Sequence, residues 1–238
     1  MPARVAALYD VHGNLPALDA VLAEVDADLI LVGGDVAAGP WPAETLARLR
    51  ALGDRVRWIR GNADRELAQP SESSEQGGPP PQGMTWTRRR LAEDQLAFLG
   101  ALPLTETIDV EGVGRLLFCH ATPRSDDELL TSISDEARWR AALDGVDADV
   151  VVCGHTHIQF DRRVGDVRLV NAGSVGMPYE ARPGAYWLSI GPGVQHRRTA
   201  YDTDGTARQI AALWPEEWPS ASPEEATEFF EQASRKRG

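Results

Sequence analysis

The feature that most restricts the fold of this chain is an alternation of short apolar runs with helix-like segments near its start. The apolar runs are Val5–Tyr9, Leu29–Val32 and Val56–Ile59. Between them, Asn14–Asp26 places leucines and valines at helical spacing, and Pro42–Leu52 begins with a proline, as helices often do. The order strand, helix, strand, helix, strand predicts parallel βαβ units with right-handed crossovers.

Each of these three runs ends at a polar residue that can bind a metal ion. Asp10 follows the first run, Asp35 follows the second after two glycines, and Asn62 follows the third after Gly61. In open parallel sheets, sites lie beyond the carboxyl ends of the strands. The sequence therefore predicts that these side chains meet at one edge of the sheet.

Two further strand-like runs end at histidines. Leu116–Cys119 leads directly into His120, and Val150–Cys153 leads through a glycine into His155-Thr156-His157. Counting the histidine after the first run, four of the five histidines follow apolar runs. The fifth, His196, lies in a polar strand pattern and is interpreted as a surface residue.

The later part of the chain predicts fewer helices and more antiparallel pairing. Helices are predicted at Trp86–Leu99 and Asp135–Leu143. Strands joined by Gly and Pro turns are predicted at Val167–Asn171, Ala185–Ile190 and Val194–Tyr201.

The chain shows no internal repeat and no domain boundary, so residues 1–238 are predicted to form a single domain. Residues 69–83 are polar and rich in Pro, Gly and Ser, which predicts a flexible loop. Because this loop follows Asn62 closely, we expect it to hang over the site and select substrates. Residues 222–237 predict a C-terminal helix that begins with a capping box and ends with basic residues.

Composition excludes several classes of protein. The formal net charge is −12, with 36 acidic and 24 basic residues. Such a balance argues against stable nucleic-acid binding, because that affinity comes from neutralising phosphates.

No apolar run is long enough to span a bilayer, and the N-terminus lacks a signal-peptide pattern. Cys119 and Cys153 end apolar runs and are expected to be buried thiols. We therefore expect a cytoplasmic protein.

The polar residues at the strand ends form a mixed set of oxygen and nitrogen donors. Asp10 and His12 lie two residues apart, so both point to one side of an extended strand end, and His155 and His157 repeat this arrangement. Carboxylate, amide and imidazole groups suit borderline divalent ions such as Mn²⁺, Fe²⁺ or Zn²⁺ better than Ca²⁺. Seven donors are too many for one tetrahedral zinc. Two ions about 3.5–4 Å apart, sharing one carboxylate, would use them all.

These motifs, in this order, resemble those of the calcineurin-like metallophosphoesterases. They are Asp10-x-His12, Gly34-Asp35, Gly61-Asn62, the strand-end His120, Gly154-His155-Thr156-His157 and the turn at 171–176. The resemblance implies an α/β (α+β) fold in which two mixed β-sheets, flanked by α-helices, form a four-layer sandwich. It is closest to the small bacterial members of the superfamily.

The resemblance also implies how the ligands divide between two ions. Asp10, His12 and His157 would hold one ion, and Asn62, His120 and His155 would hold the other. Asp35 would bridge the two. Mn²⁺ is the favoured ion, with Fe²⁺, Zn²⁺ or Ni²⁺ as alternatives. A bridging hydroxide would attack phosphorus, so Asp35, Asn62 and His120 are also the predicted catalytic residues.

One position departs from the family pattern. Many members have a histidine directly after the asparagine, and it is interpreted as an acid that protonates the leaving group. This chain has Ala63 there. The departure favours phosphodiesters or activated phosphomonoesters over ordinary monoesters, because proton donation contributes about 10²–10⁴-fold to rate.

Three nearby polar residues have two interpretations each, and a fourth, Thr156, has one. Asn14 is expected to cap the first helix, and its neighbourhood could also face a phosphate. Arg124 either clamps a phosphate oxygen or pairs with Asp126 or Asp127. Asp64 is expected to support the site or form a salt bridge, and Thr156 to point into the sheet.

The predicted function is therefore metal-dependent hydrolysis of a small phosphorylated substrate, with a nucleotide as one option. The alternative is a non-catalytic scaffold of the same fold, which would show substitutions among the seven donors. A nuclease of the superfamily would need a basic surface, which the composition does not offer. A homo-oligomer remains open at this stage.

Overall fold

The computed structural model describes residues 1–69 and 81–237, and its strands run along the chain as follows. They are β1 (Val5–Leu8), β2 (Leu29–Val32), β3 (Val56–Trp58), β4 (Thr105–Val110), β5 (Gly114–Cys119), β6 (Val150–Cys153), β7 (Phe160–Val164), β8 (Val167–Asn171), β9 (Ala185–Ile190) and β10 (Val194–Thr199). The helices are α1 (Leu15–Glu24), α2 (Pro42–Arg50), α3 (Asn62–Ala68), α4 (Gln82–Arg88), α5 (Glu93–Gly100), α6 (Glu136–Ala142), α7 (Thr203–Leu213) and α8 (Pro223–Arg237).

The strands form two mixed sheets of five strands each. The first has the order β10-β9-β1-β2-β3, with β1, β2 and β3 parallel, as the βαβ pattern predicted. The second has the order β4-β5-β6-β8-β7, in which β5, β6 and β8 are parallel. The predicted antiparallel pairing is present between β9 and β10.

Alternation along the central strands builds the layers. In β1, Val5 and Ala7 face the second sheet and pack in the core between the sheets with residues such as Phe118. Ala6 and Leu8 point the other way and pack against α1 and α2. Residues of β6 divide in the same manner between the inner core and the layer with α6. The result is the expected order of helix, sheet, sheet and helix.

The structure corrects the prediction of one helix over Trp86–Leu99. Two helices, α4 and α5, are separated at Ala92, whose backbone is extended. The Gln95 side chain accepts a hydrogen bond from the Ala92 N–H at 2.9 Å, and Glu93 and Asp94 begin α5. A new helix start therefore interrupts the apolar periodicity.

Other elements were not predicted from the sequence. Strands β4 and β7 and helices α3 and α7 are additional, and α7 lies between the last predicted strand and the C-terminal helix, where no helix was predicted. Most of the predicted loop, residues 70–80, lies outside the described residues, and its last two residues, Gln82 and Gly83, begin α4. Within the described part of the chain, no helix combines the length and apolar character needed to cross a membrane.

Candidate metal centre

The ends of the central strands in both sheets bring the predicted metal ligands together. Each ligand lies within a few residues of the end of β1, β2, β3, β5 or β6. Two groups of carboxylate and imidazole donors result, and within each group the ligand atoms lie within 4.8 Å of one another. The groups are Asp10, His12 and His157, and Asp35, His120 and His155.

In the first group, three ligand atoms converge on one point. The Nε2 atoms of His12 and His157 lie 3.2 Å apart. The Oδ1 atom of Asp10 lies 3.2 Å from Nε2 of His157 and 3.8 Å from Nε2 of His12. Nitrogen and oxygen atoms at this spacing, with lone pairs facing one another, are arranged to share a cation.

In the second group, the carboxylate also reaches toward the first. The Oδ2 atom of Asp35 lies 3.4 Å from Nε2 of His120 and 3.8 Å from Nε2 of His12. Asp35 therefore stands between the two groups, in the place that a bridging ligand would occupy. Asp10 is also near both, since its Oδ1 lies 3.8 Å from Nε2 of His120.

Buried donors without a hydrogen-bond partner are concentrated here. Among the described residues, four of the six such side-chain atoms belong to the predicted ligands. They are Oδ1 of Asp10, Oδ1 of Asn62, Nε2 of His120 and Nε2 of His155. Because an unsatisfied buried polar atom is costly, these atoms fit a bound cation, and the donor set suits borderline divalent ions.

Hydrogen bonds fix the orientation of three of the imidazoles. The Nδ1 atoms of His12, His120 and His157 lie 3.2, 2.8 and 2.7 Å from the carbonyl oxygens of Ala38, Gly33 and Met177, respectively. In the neutral imidazole, donation from Nδ1 to a carbonyl leaves the lone pair on Nε2, which is the atom directed at the cluster.

The two carboxylates are held by backbone amides on their other oxygen. Oδ2 of Asp10 accepts a hydrogen bond from the His155 N–H at 2.9 Å. Oδ1 of Asp35 accepts one from the Ala63 N–H at 2.8 Å. Each carboxylate thus keeps one oxygen for the cluster and uses the other to join two strand ends.

The backbone of the cluster is in the left-handed region. In the described residues, the non-glycine residues with positive φ are all predicted ligands: Asp10, His12, Asp35, His155 and His157, with φ between 46° and 65°. Such conformations cost about 1–3 kcal/mol each and recur at functional sites. The expectation of extended strand ends at Asp10–His12 and His155–His157 was therefore wrong, although all four side chains still reach the two donor groups.

Close approach of the strand ends explains a glycine in one motif. A Cβ atom on Gly61 would lie 2.1 Å from Oδ1 of Asp35 and 2.4 Å from the Asp35 nitrogen. Any larger residue would push Asp35 away from its position between the two groups. The glycine before Asn62 is therefore required by packing.

Burial and neighbouring charge shift the pKa values of the cluster. Burial lowers the pKa of His155 to about 4, which keeps that imidazole neutral near pH 7. Burial would also lower the pKa of His120, but the carboxylates of Asp35 and Asp10 outweigh it and raise the pKa to about 10. Burial would raise the pKa of Asp35, yet the charges of His120 and His12 lower it well below its usual range. The two carboxylates thus attract positive charge to this point.

Asp64 supports the cluster from behind. Its buried carboxylate accepts hydrogen bonds from three backbone N–H groups: Asp35 at 2.8 Å, Val36 at 3.0 Å and Gly61 at 3.0 Å. Burial first, and then the charge of Asp35, raise the pKa of Asp64 to about 7. Of the two expected roles, the structure supports the first, since Asp64 has no salt bridge among the described residues.

The turn at 171–176 holds two of the ligand segments. The Asn171 side chain donates hydrogen bonds to the Gly154 carbonyl at 2.7 Å and to Oγ1 of Thr156 at 3.2 Å. The Ser174 hydroxyl donates to the Asp10 carbonyl at 2.7 Å. Thr156 is thus buried and directed away from the cluster, as expected.

The two predicted substrate-binding residues have different surroundings. Asn14 caps α1 by accepting from the Ala17 N–H at 3.2 Å, and its amide donates to the Gly176 carbonyl at 2.9 Å. Arg124 is exposed and pairs with Glu128 at 2.5 Å, so the expected partners Asp126 and Asp127 were wrong. Its role in binding phosphate stays a prediction.

Two cations beside Asn62 were not singled out from the sequence. The guanidinium groups of Arg60 and Arg65 share the carboxylate of Asp126, at 2.9 and 3.1 Å. They flank Asn62 in the chain, and their side chains are 27% and 33% exposed. The sequence signal for these two cations was a basic residue on each side of the predicted ligand Asn62. That signal is weak, because arginines at strand ends are common.

Tyr179 is a further neighbour of the cluster that sequence reasoning missed. Its ring stacks on the imidazole of His157, with centroids 5.2 Å apart and an interplanar angle of 17°. Its backbone N–H donates to the His157 carbonyl at 3.2 Å. No local motif indicated this contact, because it depends on how the turn after β8 folds back.

Two mixed sheets flanked by helices, with aspartates and histidines gathered at the strand ends, define the metallophosphoesterase class of fold and site. The chain matches the calcineurin-like phosphoesterase superfamily domain over residues 4–190, and it belongs to that superfamily. The resemblance drawn from the motifs is thereby confirmed.

Other known proteins resemble this chain in sequence or in fold. A metallophosphoesterase from Sphaerobacter thermophilus has the same fold, with a TM-score of 0.72 and 22% identity over 97% of this chain and 99% of that one. An uncharacterized protein of Methanocaldococcus jannaschii is 26% identical over 199 residues, which are 73% of this chain and 76% of that protein. A symmetrical bis(5′-nucleosyl)-tetraphosphatase of Klebsiella pneumoniae is 33% identical over 126 residues, 50% of this chain and 44% of that enzyme. The chain thus spans less than half of the tetraphosphatase.

Proposed function

We propose that this protein hydrolyses small phosphodiesters, or activated phosphomonoesters, with the help of two divalent ions. The observation that carries the proposal is the position of Asp35 between two groups of donors, each within reach of one ion. In the proposed enzyme, Asp10, His12 and His157 hold one ion, and Asn62, His120 and His155 hold the other. The ions would activate a water molecule and neutralise charge on the phosphate oxygens.

The residues of the chain fix where the reacting phosphate can lie. The donor atoms of each group converge within 4.8 Å of one another, so the reacting phosphate would lie next to this convergence. The backbone hydrogen bonds to Asp10 and Asp35 keep those carboxylates in place without rearrangement. Preorganisation of this kind supports a catalytic role over that of a scaffold.

The position after Asn62 supports a preference for esters with good leaving groups. Ala63 is buried, and its N–H is used in the hydrogen bond to Asp35. A methyl side chain cannot donate a proton to a departing alkoxide. Substrates whose leaving group departs without being protonated are therefore favoured. We include among them nitrophenyl esters and phosphoanhydride-like or diester linkages.

The similarity to a symmetrical tetraphosphatase makes a nucleotide-like compound a reasonable substrate within this proposal. Mn²⁺ is the first ion to test, followed by Fe²⁺, Zn²⁺ and Ni²⁺. We further propose that the protein acts in the cytoplasm, on a small phosphorylated compound, as a single domain over residues 1–238.

Asp35→Asn is the decisive variant. We expect it to lower kcat/KM for bis(p-nitrophenyl) phosphate by at least about 10²-fold, because the shared carboxylate charge is lost. Metal analysis by plasma mass spectrometry should show two ions per wild-type chain and fewer in the variant. Asp54→Asn, at an exposed position, is the matched control and should behave as wild type.

Two results would contradict the proposal. Full activity of Asp35→Asn would remove Asp35 from the reaction. A wild-type protein that binds ions but hydrolyses neither bis(p-nitrophenyl) phosphate nor p-nitrophenyl phosphate would favour the non-catalytic scaffold.

A further inference from the structure

A cavity with aromatic walls lies between α8 and the segment that precedes it. Its volume is about 480 Å³, which is enough for a small planar group with its sugar. Four aromatic side chains line it: Tyr179, Trp218, Phe229 and Phe230. Because every nucleobase has a π-face, a set of aromatic walls suits stacking on a base.

The wall formed by α8 is anchored to the body of the protein. The buried carboxylate of Glu231 accepts hydrogen bonds from the hydroxyls of Thr131, at 2.6 Å, and Ser134, and it lies 3.6 Å from the guanidinium of Arg138. Ser234 donates to the Leu129 carbonyl at 2.9 Å. These contacts hold α8, and with it one wall of the cavity, against the body of the protein.

The opposite wall is anchored by three indoles in edge-to-face contact. The ring of Trp218 meets that of Trp214 edge to face at 5.7 Å, and Trp214 meets Trp86 in the same way at 5.4 Å. Phe229, in contrast, is 65% exposed although it is large and apolar. Folding does not account for this exposure, whereas a planar ligand would cover the ring.

The cavity adjoins the metal centre through one residue. Tyr179 lines the cavity, contacts Phe230 at 6.1 Å between centroids, and stacks on His157, a predicted metal ligand. The phosphate end and the aromatic end of a single small molecule therefore have adjacent places.

The charges that line the cavity favour the base there and the phosphate at the metal centre. Glu217 and Glu225 line the cavity, and no lysine or arginine is among the described residues that do so. An anionic phosphate is disfavoured there, while the N–H groups of a base would find carboxylate acceptors. The phosphate is instead directed to the metal centre.

From these contacts we propose that the cavity binds the nucleobase of a nucleotide-like phosphoester whose phosphate lies at the metal centre. This inference rests on the proposed function and specifies its substrate class. Trp218 and Phe229 stack on the base, and Glu217 accepts hydrogen bonds from its N–H groups. Tyr179 separates the base from the ion-binding imidazole.

Calorimetric titration of the Mn²⁺-loaded protein with two matched ligands tests the proposal. Adenosine 5′-monophosphate and ribose 5-phosphate are monoesters of the same sugar carbon and differ in the base. Wild type should bind the nucleotide at least about tenfold more tightly, the value of one stacked base. Phe229→Ala and Trp218→Ala should each remove most of that preference and leave the affinity for ribose 5-phosphate unchanged.

Leu213→Ala is the matched control, since it removes a partly exposed apolar side chain of α7 outside the cavity. Trp218→Phe should retain the preference, because it keeps an aromatic ring. Equal affinity of wild type for the two ligands, or equal loss of both in Phe229→Ala, would overturn the inference. A protein that keeps the base preference yet hydrolyses no ester would support the cavity and remove the proposed function.

Discussion

At the scale of single residues, the candidate site depends on side chains that hold ligands as well as on the ligands. Asp64 is the clearest example, because one buried carboxylate orients three backbone N–H groups on two strand ends. Residues that support metal ligands in this way typically contribute about 10–100-fold to metal affinity.

Asp64→Asn should therefore weaken Mn²⁺ binding by about 10–100-fold without removing a ligand. The amide keeps the size of the carboxylate but can accept hydrogen bonds through one oxygen only. Calorimetric titration with Mn²⁺ gives the affinity, and Asp54→Asn serves as the control. An unchanged affinity would show that the backbone of Asp35 keeps its position without this support.

Ala63→His should restore the missing proton donor. We expect turnover of p-nitrophenyl phosphate, and still more of a simple alkyl monoester, to rise by about tenfold or more. Ala63→Gln adds similar bulk without a titratable group and should give no gain. Equal rates for the two variants would argue against the absent histidine as the cause of poor monoester hydrolysis.

The sequence predicted which residues gather at the candidate centre better than it predicted the residues that support them. Asp10, Asp35 and His120 were predicted because each follows an apolar strand, and parallel strands end at one edge. The contacts of Tyr179 with His157 and of Glu128 with Arg124 were not predicted. They depend on the paths of loops, for which residue spacing carries no comparable rule.

At the scale of elements, every central strand was predicted, whereas the two edge strands of the second sheet were not. β1 and β6 are buried on both faces and appear in the sequence as continuous apolar runs. β4 (Thr105–Val110) and β7 (Phe160–Val164) lie at the edges of the second sheet and carry charged residues. Such edges avoid apolar runs, which protects them from pairing with other chains.

Helices α3 and α7 show a related difficulty. α3 begins at Asn62 itself, so a residue interpreted as a strand-end ligand is also the first residue of a helix. The only sequence signal for α7 is Asp202, which caps the helix by accepting a hydrogen bond from the Gly205 N–H at 2.9 Å. Short helices with few apolar residues have a weak periodic signal.

The anchoring of α8 gives a prediction at this scale. Glu231→Ala leaves two hydroxyls and a guanidinium without their shared acceptor, so the free energy of unfolding should fall by about 2–3 kcal/mol. Urea unfolding measures the change. Glu228→Ala, an exposed position on the same helix, should change stability far less. Equal effects of the two variants would show that the Glu231 contacts do not hold the helix.

At the scale of the whole molecule, the candidate centre joins the two sheets. Asp10 and Asp35 follow strands of the first sheet, whereas His120 and His157 follow strands of the second. Ions held by all of them would cross-link the two sheets of the sandwich. The sequence predicted this arrangement only through the family resemblance, because nothing in the residue pattern says how two sheets face each other.

Removal of metal should therefore destabilise the entire fold. An ion that binds only the folded state contributes about 2.7 kcal/mol at a hundredfold excess over its Kd, which for a chain of this size corresponds to roughly 5–10 °C in Tm. Differential scanning calorimetry with Mn²⁺ or with a chelator measures the shift. Asp35→Asn should show a smaller shift, and identical Tm values of wild type in both buffers would contradict a metal bound by the folded state.

The left-handed backbone at the five predicted ligands has a consequence for the evolution and engineering of such a chain. The left-handed conformation lowers the stability of the folded chain wherever the residue carries a side chain. It is nevertheless present at Asp10, His12, Asp35, His155 and His157. Selection for heat resistance alone, with no demand for hydrolysis, would relax these positions toward glycine or asparagine before it touched the apolar layers. The candidate metal centre is thus the first feature that a purely stabilising pressure would erase.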